Sequence, residues 1–369
     1  MMKSKRTKQA VNQLFYRTNR LQESLKEIQD TLADIQTKLE KRRNGIKLFA
    51  LNATTRWGME VAEFLDLPLS KHEEFSFPDG ESYLRSGENV RRSSAFVIQS
   101  LYSDSRETVD QKLNKLLLFA GALRDASADE VCVVIPYLAY ARSDRKVKSR
   151  EGVATKYVAQ MLESIGVDRV LTIDIHNLGA FQNAYRIRTD NLECKNLFAD
   201  FMVAELEGID PKTVSVLAAD AGGFGRASRF RNALQKRLKI DDVPVAVVDK
   251  SRMGKVVKGT SIAGQVRPVT ILVEDMIASG STIKQSVAVA KEHGAERIYA
   301  VATHGLFVGN ADENLADNSL YKIIVSDTID PFRLGDAARQ KLYVISTAKL
   351  FAEAIRRSYT GESLSSLFE

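Results

Sequence analysis

From Ile46 onward the chain alternates short apolar runs with segments whose apolar residues recur every three or four positions. The runs IKLFAL, AFVIQS, VCVVIP, RVLTIDI and VSVLAA are too short for helices and too continuously apolar for a sheet with one wet face. VAVVD, VTILVED, RIYAVATH, KIIVSD and KLYVIS continue the series. Strands buried on both faces and separated by helices predict parallel sheets in an α/β architecture. Ahead of them, Val11, Leu14, Leu21, Leu25, Ile28, Leu32, Ile35 and Leu39 fall on alternating steps of three and four, with only Thr18 placing a polar residue in the seam. This is a coiled-coil seam over residues 11–39, which a lone helix cannot bury, and it implies self-association or a coiled-coil partner. An amphipathic helix packed on its own chain is the other reading. Asn44-Gly45 closes the segment with residues that tolerate a left-handed helix cap.

A repeat organises the rest. VVIPYLAYARSD leads through a helix at Thr155 to GVDRVLTIDIH, and ILVEDMIASGST leads through a helix starting at Thr282 to GAERIYAVATH. Gly166, Arg169 and His176 carry the same spacing as Gly294, Arg297 and His304. Two similar α/β halves are implied, with a cleft between them as the natural ligand site. The predicted organisation is a coiled-coil helix over 1–44, halves over 45–190 and 191–345, and a closing segment over 346–369 that packs back on the first half.

Charge changes the picture less than the net value of +6 suggests. Residues 1–43 hold eleven Lys or Arg against five Asp or Glu, so the remainder is neutral and the basic balance belongs to the N-terminal segment alone. That argues against nucleic acid as the partner of the body. No apolar run is long enough to span a bilayer, and the start lacks the apolar core of a secretory signal. Two cysteines, Cys132 and Cys194, are too few for a disulfide framework or a thiolate zinc site. A cytoplasmic protein without membrane contact is the expectation.

The stretch ILVEDMIASGST concentrates the chemistry. A buried parallel strand should deliver Glu274 and Asp275 at its carboxyl end, where ligands of open α/β sheets sit. The loop Ser279, Gly280, Ser281 and Thr282 then opens a helix whose unpaired N–H groups and hydroxyls suit a phosphate monoester. Two carboxylates cannot bind phosphate, but they suit the vicinal hydroxyls of a sugar or a bound divalent cation. A sugar phosphate satisfies both parts. A capped helix preceded by two solvated acids has the same pattern, so the stretch alone leaves both readings open.

The stretch resembles the ribose 5-phosphate motif of the type I phosphoribosyltransferase fold. With FPDGES, PYLAYARSDRK, GVDRVLTIDIHN, AADAGG, VVDKSR, ATHGLFVGNA and LFAEAIRR in order, residues 46–369 resemble the ribose-phosphate pyrophosphokinase (PRPP synthetase) family. The resemblance implies two phosphoribosyltransferase-like, Rossmann-like domains, the first on the ATP side and the second on the ribose 5-phosphate side. It implies transfer of the diphosphate of MgATP to the C1 hydroxyl of ribose 5-phosphate, with release of AMP, in nucleotide biosynthesis. It assigns Lys250, Arg252 and His176 to catalysis, and His176 and Asp220 to the metal, Mg2+. ATP contacts fall to Phe77, Asp79 and Glu81 and to Arg142, Ser143 and Asp144. The sugar phosphate falls to Glu274, Asp275, Ala278, Ser279, Gly280, Ser281 and Thr282. Since the two ATP-binding segments meet across a dimer interface in relatives, a homo-oligomer built from dimers is implied, with a hexamer as one form. His304 has no such company and reads as structural.

This chain departs from the family pattern at several points. Glu274 stands where relatives carry Asp, Ala278 where an acid is usual, Ser281 where glycine is common, and Ser143 replaces a glutamine. Ser281 is tolerable only if its backbone does not require positive φ. Three readings compete: a working pyrophosphokinase, favoured because Lys250, Arg252, His176 and Asp220 persist; a catalytically weak or inactive regulatory relative; and a phosphoribosyltransferase, which would need only one such half.

Overall fold

The computed structural model describes residues 45–249 and 261–367, together with positions 21, 22, 24–26, 28, 29, 31 and 32. The chain divides into two units, Met1–Ile46 and Lys47–Glu369. In the first, the described positions are helical, and Leu21, Leu25, Ile28 and Leu32 are 69, 60, 59 and 53% exposed. The remaining seam positions, Val11, Leu14, Ile35 and Leu39, lie outside the described residues.

The second unit starts from β1 (Ile46–Ala50), an antiparallel ribbon of β2 (His72–Ser76) and β3 (Ser82–Ser86), and β4 (Ser94–Ile98). With β5 (Glu130–Val134), β6 (Arg169–Ile173) and β7 (Arg188–Leu192) these form a five-stranded sheet in the order β1-β4-β5-β6-β7, the ribbon standing apart. Strands β4 to β7 are mutually parallel. A seven-stranded sheet follows, built from β8 (Val214–Ala218), β9 (Val245–Asp249), β10 (Ser261–Ala263) and β11 (Val269–Ile277), then β12 (Arg297–Gly305), β13 (Leu320–Ser326) and β14 (Leu342–Ile345). Its order is β10-β9-β8-β11-β12-β13-β14, parallel except for β10 against β9.

Every apolar run of the sequence became a strand, and the four strands the pattern missed share a cause. β7 and β10 are sheet edges and β2 and β3 form the isolated ribbon, so none needs two apolar faces. The repeated glycines close equivalent helices: Gly166 (φ 92°) follows Ala154–Ser164 and Gly294 (φ 95°) follows Ser281–Glu292, conformations a side chain would oppose.

The sheets carry separate apolar cores, but the division between them is not clean. Ile329, from beyond β13, is buried in the first core, with Met276 and Leu306 packed against it. Polar bonds reinforce the junction: the Ser100 hydroxyl donates to Thr328 O at 2.6 Å, and Arg333 donates to Leu306 O at 2.7 Å and bonds Ser103. The C-terminal helix Ala348–Thr360 lies on Thr55–Leu65, with Phe351 edge-on to Trp57 at 5.0 Å. Burying such side chains contributes on the order of 1.5–3 kcal/mol each.

The helix Thr55–Leu65 approaches β1 closely because position 58 is glycine. A Cβ on Gly58 would stand 2.3 Å from Ala50 Cβ. Gly58→Ala should therefore destabilise the protein by about 1–3 kcal/mol through overpacking, although alanine is the better helix former by ~1 kcal/mol. An unchanged or higher urea midpoint would contradict this packing.

Candidate active site

The cleft begins with a strained turn. β6 stops at Ile173, and Asp174 takes a left-handed backbone (φ 43°) that carries the chain out of the sheet. A non-glycine residue holds that conformation when its surroundings over-determine it. Asp174 Oδ2 accepts the Cys194 N–H at 2.9 Å and the Thr303 hydroxyl at 2.6 Å. Burial raises this carboxyl above the usual range, partly opposed by those two bonds. Two residues on, the His176 side chain reaches the cleft wall, 41% exposed.

Its repeat counterpart has the opposite fate. β12 runs on through His304 to Gly305, so the ring stays inside, 3% exposed. Ile173 O can only accept, so His304 Nε2 carries the proton and donates to it at 3.2 Å, while Nδ1 accepts the Thr328 hydroxyl at 2.9 Å. Burial lowers its pKa to about 4, and the ring is a neutral structural pin.

The second half supplies the facing wall. β8 pairs with β11 only as far as Ala218 and Val273, whereas β11 continues against β12 to Ile277. Glu274 and Asp275 therefore lie within the strand rather than at its end, where the sequence had suggested, on the side that β8 has left. Asp275 is 4% exposed, and its Oδ2 accepts from His176 Nδ1 at 2.5 Å. Arg226 Nη1 stands 3.8 Å from Oδ1. Burial would raise the Asp275 carboxyl, but the His176 bond and the Arg226 charge outweigh it and hold the group below the usual range. The same bond, partly opposed by burial, raises His176. With Nδ1 so engaged, Nε2 is the nitrogen left for the cleft.

The cleft has a volume of about 910 Å3, and Asp144, His176, Asp220, Asp249, Glu274 and Asp275 all line it. Asp220 closes the turn after β8, accepting the Gly223 N–H at 3.0 Å. Among the described residues no three His, Cys, Asp or Glu side chains converge as a cage for an ion. Carboxylates on one wall still fit a hard divalent cation that keeps its waters and shares phosphate oxygens.

The loop after β11 is held from behind. Ala278 O accepts the Val308 N–H at 2.9 Å, and Ser279 O accepts from Asn314 Nδ2 at 2.9 Å. Gly280 has φ 71°, which a side chain would oppose, and a Cβ there would also crowd Leu315 Cγ at 3.1 Å. Ser281 begins the helix Ser281–Glu292 without positive φ, so serine is unstrained there, with its hydroxyl 3.0 Å from that of Ser279. With Thr282 next, the first-turn N–H groups and the dipole present an anion site. The loop follows Asp275 in the chain but does not line the cleft itself.

On the first half, Asp144 accepts from Asn177 Nδ2 at 2.6 Å, and Arg142 is exposed beside it. Ser143 is engaged locally: its hydroxyl accepts the Ala154 N–H at 3.2 Å, closing the start of Ala154–Ser164. Phe77, Asp79 and Glu81 are exposed at the tip of the β2–β3 ribbon, and none lines the cleft. Asp79 Oδ1 accepts the Glu81 N–H at 3.1 Å, and Phe77 packs edge-on to Phe75 at 5.2 Å. Lys250 and Arg252 lie outside the described residues; Asp249, just before them, is part of the cleft wall.

Arg226, Arg229 and Glu193 also line the cleft, and sequence reasoning does not single them out. Arg226 and Arg229 share a face of the helix Phe224–Leu238, and their spacing of three just after Asp-Ala-Gly-Gly was an available signal. Glu193, which holds Arg229 at 2.8 Å, follows the polar edge strand β7 and had none.

Residues 46–166 match the family model for the N-terminal domain of ribose phosphate pyrophosphokinase, and residues 226–369 match the phosphoribosyl synthetase-associated domain. The chain is 37% identical over 328 residues to the ribose-phosphate pyrophosphokinase of Caldanaerobacter subterraneus subsp. tengcongensis, covering 88% of this chain and 98% of that protein. It is 38% identical over 326 residues to that of Pasteurella multocida, covering 88% and 99%. Among solved structures, phosphoribosylpyrophosphate synthetase from Mycobacterium smegmatis superposes with a TM-score of 0.75 at 28% identity, covering 86% of this chain and 99% of that one.

In the ligand-free protein, His176 should titrate above the 6.5 of an ordinary imidazole, and Asp275→Asn should lower its midpoint. Because the folded value is raised, the bond's contribution to stability is complete below pH 6.5 and fades as the pH rises through the raised value. His304 should stay neutral down to about pH 4. An NMR titration of the four histidines reads both; a His176 midpoint at or below 6.5 would remove Asp275 as its partner.

Proposed function

The chain belongs to the ribose-phosphate pyrophosphokinase family, and from that premise we propose how its own residues transfer the diphosphate of ATP to the C1 hydroxyl of ribose 5-phosphate. The observation that carries the reading is the His176–Asp275 hydrogen bond, which joins a residue of the first half to an acid on the strand leading into the anion-binding loop. Residues 45–190 take the nucleotide, residues 191–345 the sugar phosphate, and residues 346–369 close against the first half.

The 5-phosphate of the sugar sits on the N–H groups of the loop 279–282, with Ala278 placing no side-chain charge beside it. Glu274 and Asp275 accept its ring hydroxyls, which sets the C1 hydroxyl toward the cleft. The C1 oxygen bonds to the β-phosphorus of ATP as the bond from that phosphorus to the oxygen leaving with AMP breaks, and the hydroxyl proton is released. Negative charge shifts during this step, so fixed positive groups accelerate it. Lys250 and Arg252 supply them, with His176 Nε2 directed at the same phosphates. Asp220 and His176 would hold Mg2+, which would supply neutralisation of phosphate charge when bound.

The ATP base is read by Phe77, Asp79 and Glu81, with Arg142, Ser143 and Asp144. Phe77 is 44% exposed on a ribbon outside its own chain's cleft, which supports its serving the cleft of a second copy. On that ground, and on the family resemblance, we propose a dimer-based homo-oligomer, with a hexamer as one form. No helix among the described residues is long and apolar enough to cross a membrane, and we place the protein in the cytoplasm, supplying PRPP for nucleotide biosynthesis.

Purified protein with Mg2+, ATP and ribose 5-phosphate should form AMP and PRPP in equal amounts. Folded protein that yields no AMP above background would instead be a regulatory relative. Lys250→Ala should lower turnover by roughly 10²–10³, the scale for loss of one transition-state charge partner, while ribose 5-phosphate binding measured by calorimetry stays intact. Comparable loss of that binding would reassign Lys250.

A further inference from the structure

Among the described residues, seven acids and three arginines line the cleft, so a phosphate entering it meets mostly like charge. The three arginines are placed differently. Arg145 is exposed in the first half, and Arg226 faces the Asp275 carboxylate at 3.8 Å. Arg229 is half exposed, and its Nε stands 2.8 Å from Glu193 Oε1. The other Glu193 oxygen lies 2.7 Å from Lys195 Nζ. Two cations share one carboxylate, so the group keeps a net positive charge. Glu193 is only 14% exposed, and its neighbour fixes the backbone, because the Cys194 N–H donates to Asp174 Oδ2 at 2.9 Å. The turn that delivers His176 thus also holds the acid that holds Arg229.

The Nη groups of Arg229 make no hydrogen bond among the described residues. Nη1 lies over Gly225, 3.6 Å from where a Cβ would stand, and Gly225 is itself part of the cleft wall. A guanidinium anchored at Nε and open at both Nη groups offers planar N–H donors to two oxygens of one phosphate. A free arginine loses rotamer freedom when it captures a ligand; one held in advance loses less. Arg229 shares the cleft wall with His176 and Asp220, whereas the loop 279–282, which takes the 5-phosphate, does not line the cleft. The oxyanion that Arg229 meets is therefore the diphosphate and not the phosphate of the sugar.

We infer that Arg229 binds phosphate oxygens of the diphosphate that passes through the cleft, and that Glu193 is its positioning residue. The inference rests on the reading of the cleft as the place of diphosphate transfer, but its readout is binding rather than turnover.

The test is calorimetry on the full chain, with inorganic diphosphate titrated in the presence of Mg2+ and ribose 5-phosphate titrated separately. Arg229→Gln should weaken diphosphate binding about 10–100-fold, the scale of one lost hydrogen-bonded charge partner, and leave ribose 5-phosphate binding unchanged. Arg229→Lys keeps the charge without the fork and should fall between the two. Glu193→Gln should weaken diphosphate binding about 3–10-fold in the parent chain but no further in the Arg229→Gln background, where no guanidinium is left to position. A wild-type protein that does not bind diphosphate, or an Arg229→Gln variant that binds it as tightly as wild type, would overturn the inference. Equal loss of ribose 5-phosphate binding would overturn the assignment to the diphosphate. A Glu193→Gln loss that persists without Arg229 would overturn the positioning role. Protein that binds diphosphate through Arg229 yet releases no AMP would refute diphosphate transfer and leave this contact standing.

Discussion

The hydrogen bond from His176 to Asp275 is the interaction on which the site depends. Each partner is delivered by a different sheet, and each is perturbed by the other: the imidazole upward, the carboxyl downward against its own burial. His176 sits two residues beyond a strained turn, and that turn persists because Thr303, from the second sheet, bonds the Asp174 carboxylate. The relation between the halves and the geometry of the cleft are thus one constraint, expressed through a few buried polar bonds.

The internal repeat shows how one pattern can serve two ends. His176 and His304 occupy the same place relative to the glycine that ends the preceding helix. In the second half the strand continues, and the histidine is enclosed between Ile173 and Thr328 as a neutral group. In the first half the strand stops early, and the histidine faces a wide cleft. The two halves share the pattern, and a left-handed residue at position 174 turns one histidine toward the cleft.

The cleft divides electrostatic labour in a way that suits two anionic substrates. In the proposed reaction the acids on β11 address hydroxyls and a cation, while the anion-binding amides belong to the loop 279–282 beyond the cleft, at the start of the next helix. Arg226 steadies Asp275 from the side opposite His176, so the acid remains ionised although it is nearly inaccessible. The substitution of serine for glycine at 281 costs no backbone strain, because the left-handed step is taken one residue earlier by Gly280. This is why a departure that looks serious in the linear motif is benign in the folded loop.

The sequence by itself determined the strands that are buried on both faces, the paired helices with their closing glycines, and the loop 279–282, because two-sided burial and helix starts leave local signatures. It also carried the motifs by which the family was recognised. It did not reveal β2, β3, β7 or β10, whose edges and exposed faces need no apolar pattern. Only the tertiary structure decided that Asp275 partners His176 across 99 positions of chain, that Arg226 joins them, and that Phe77 lies outside its own cleft. Those outcomes depend on where one strand stops relative to its neighbour, and that is fixed by long-range pairing and burial rather than by any local run of residues.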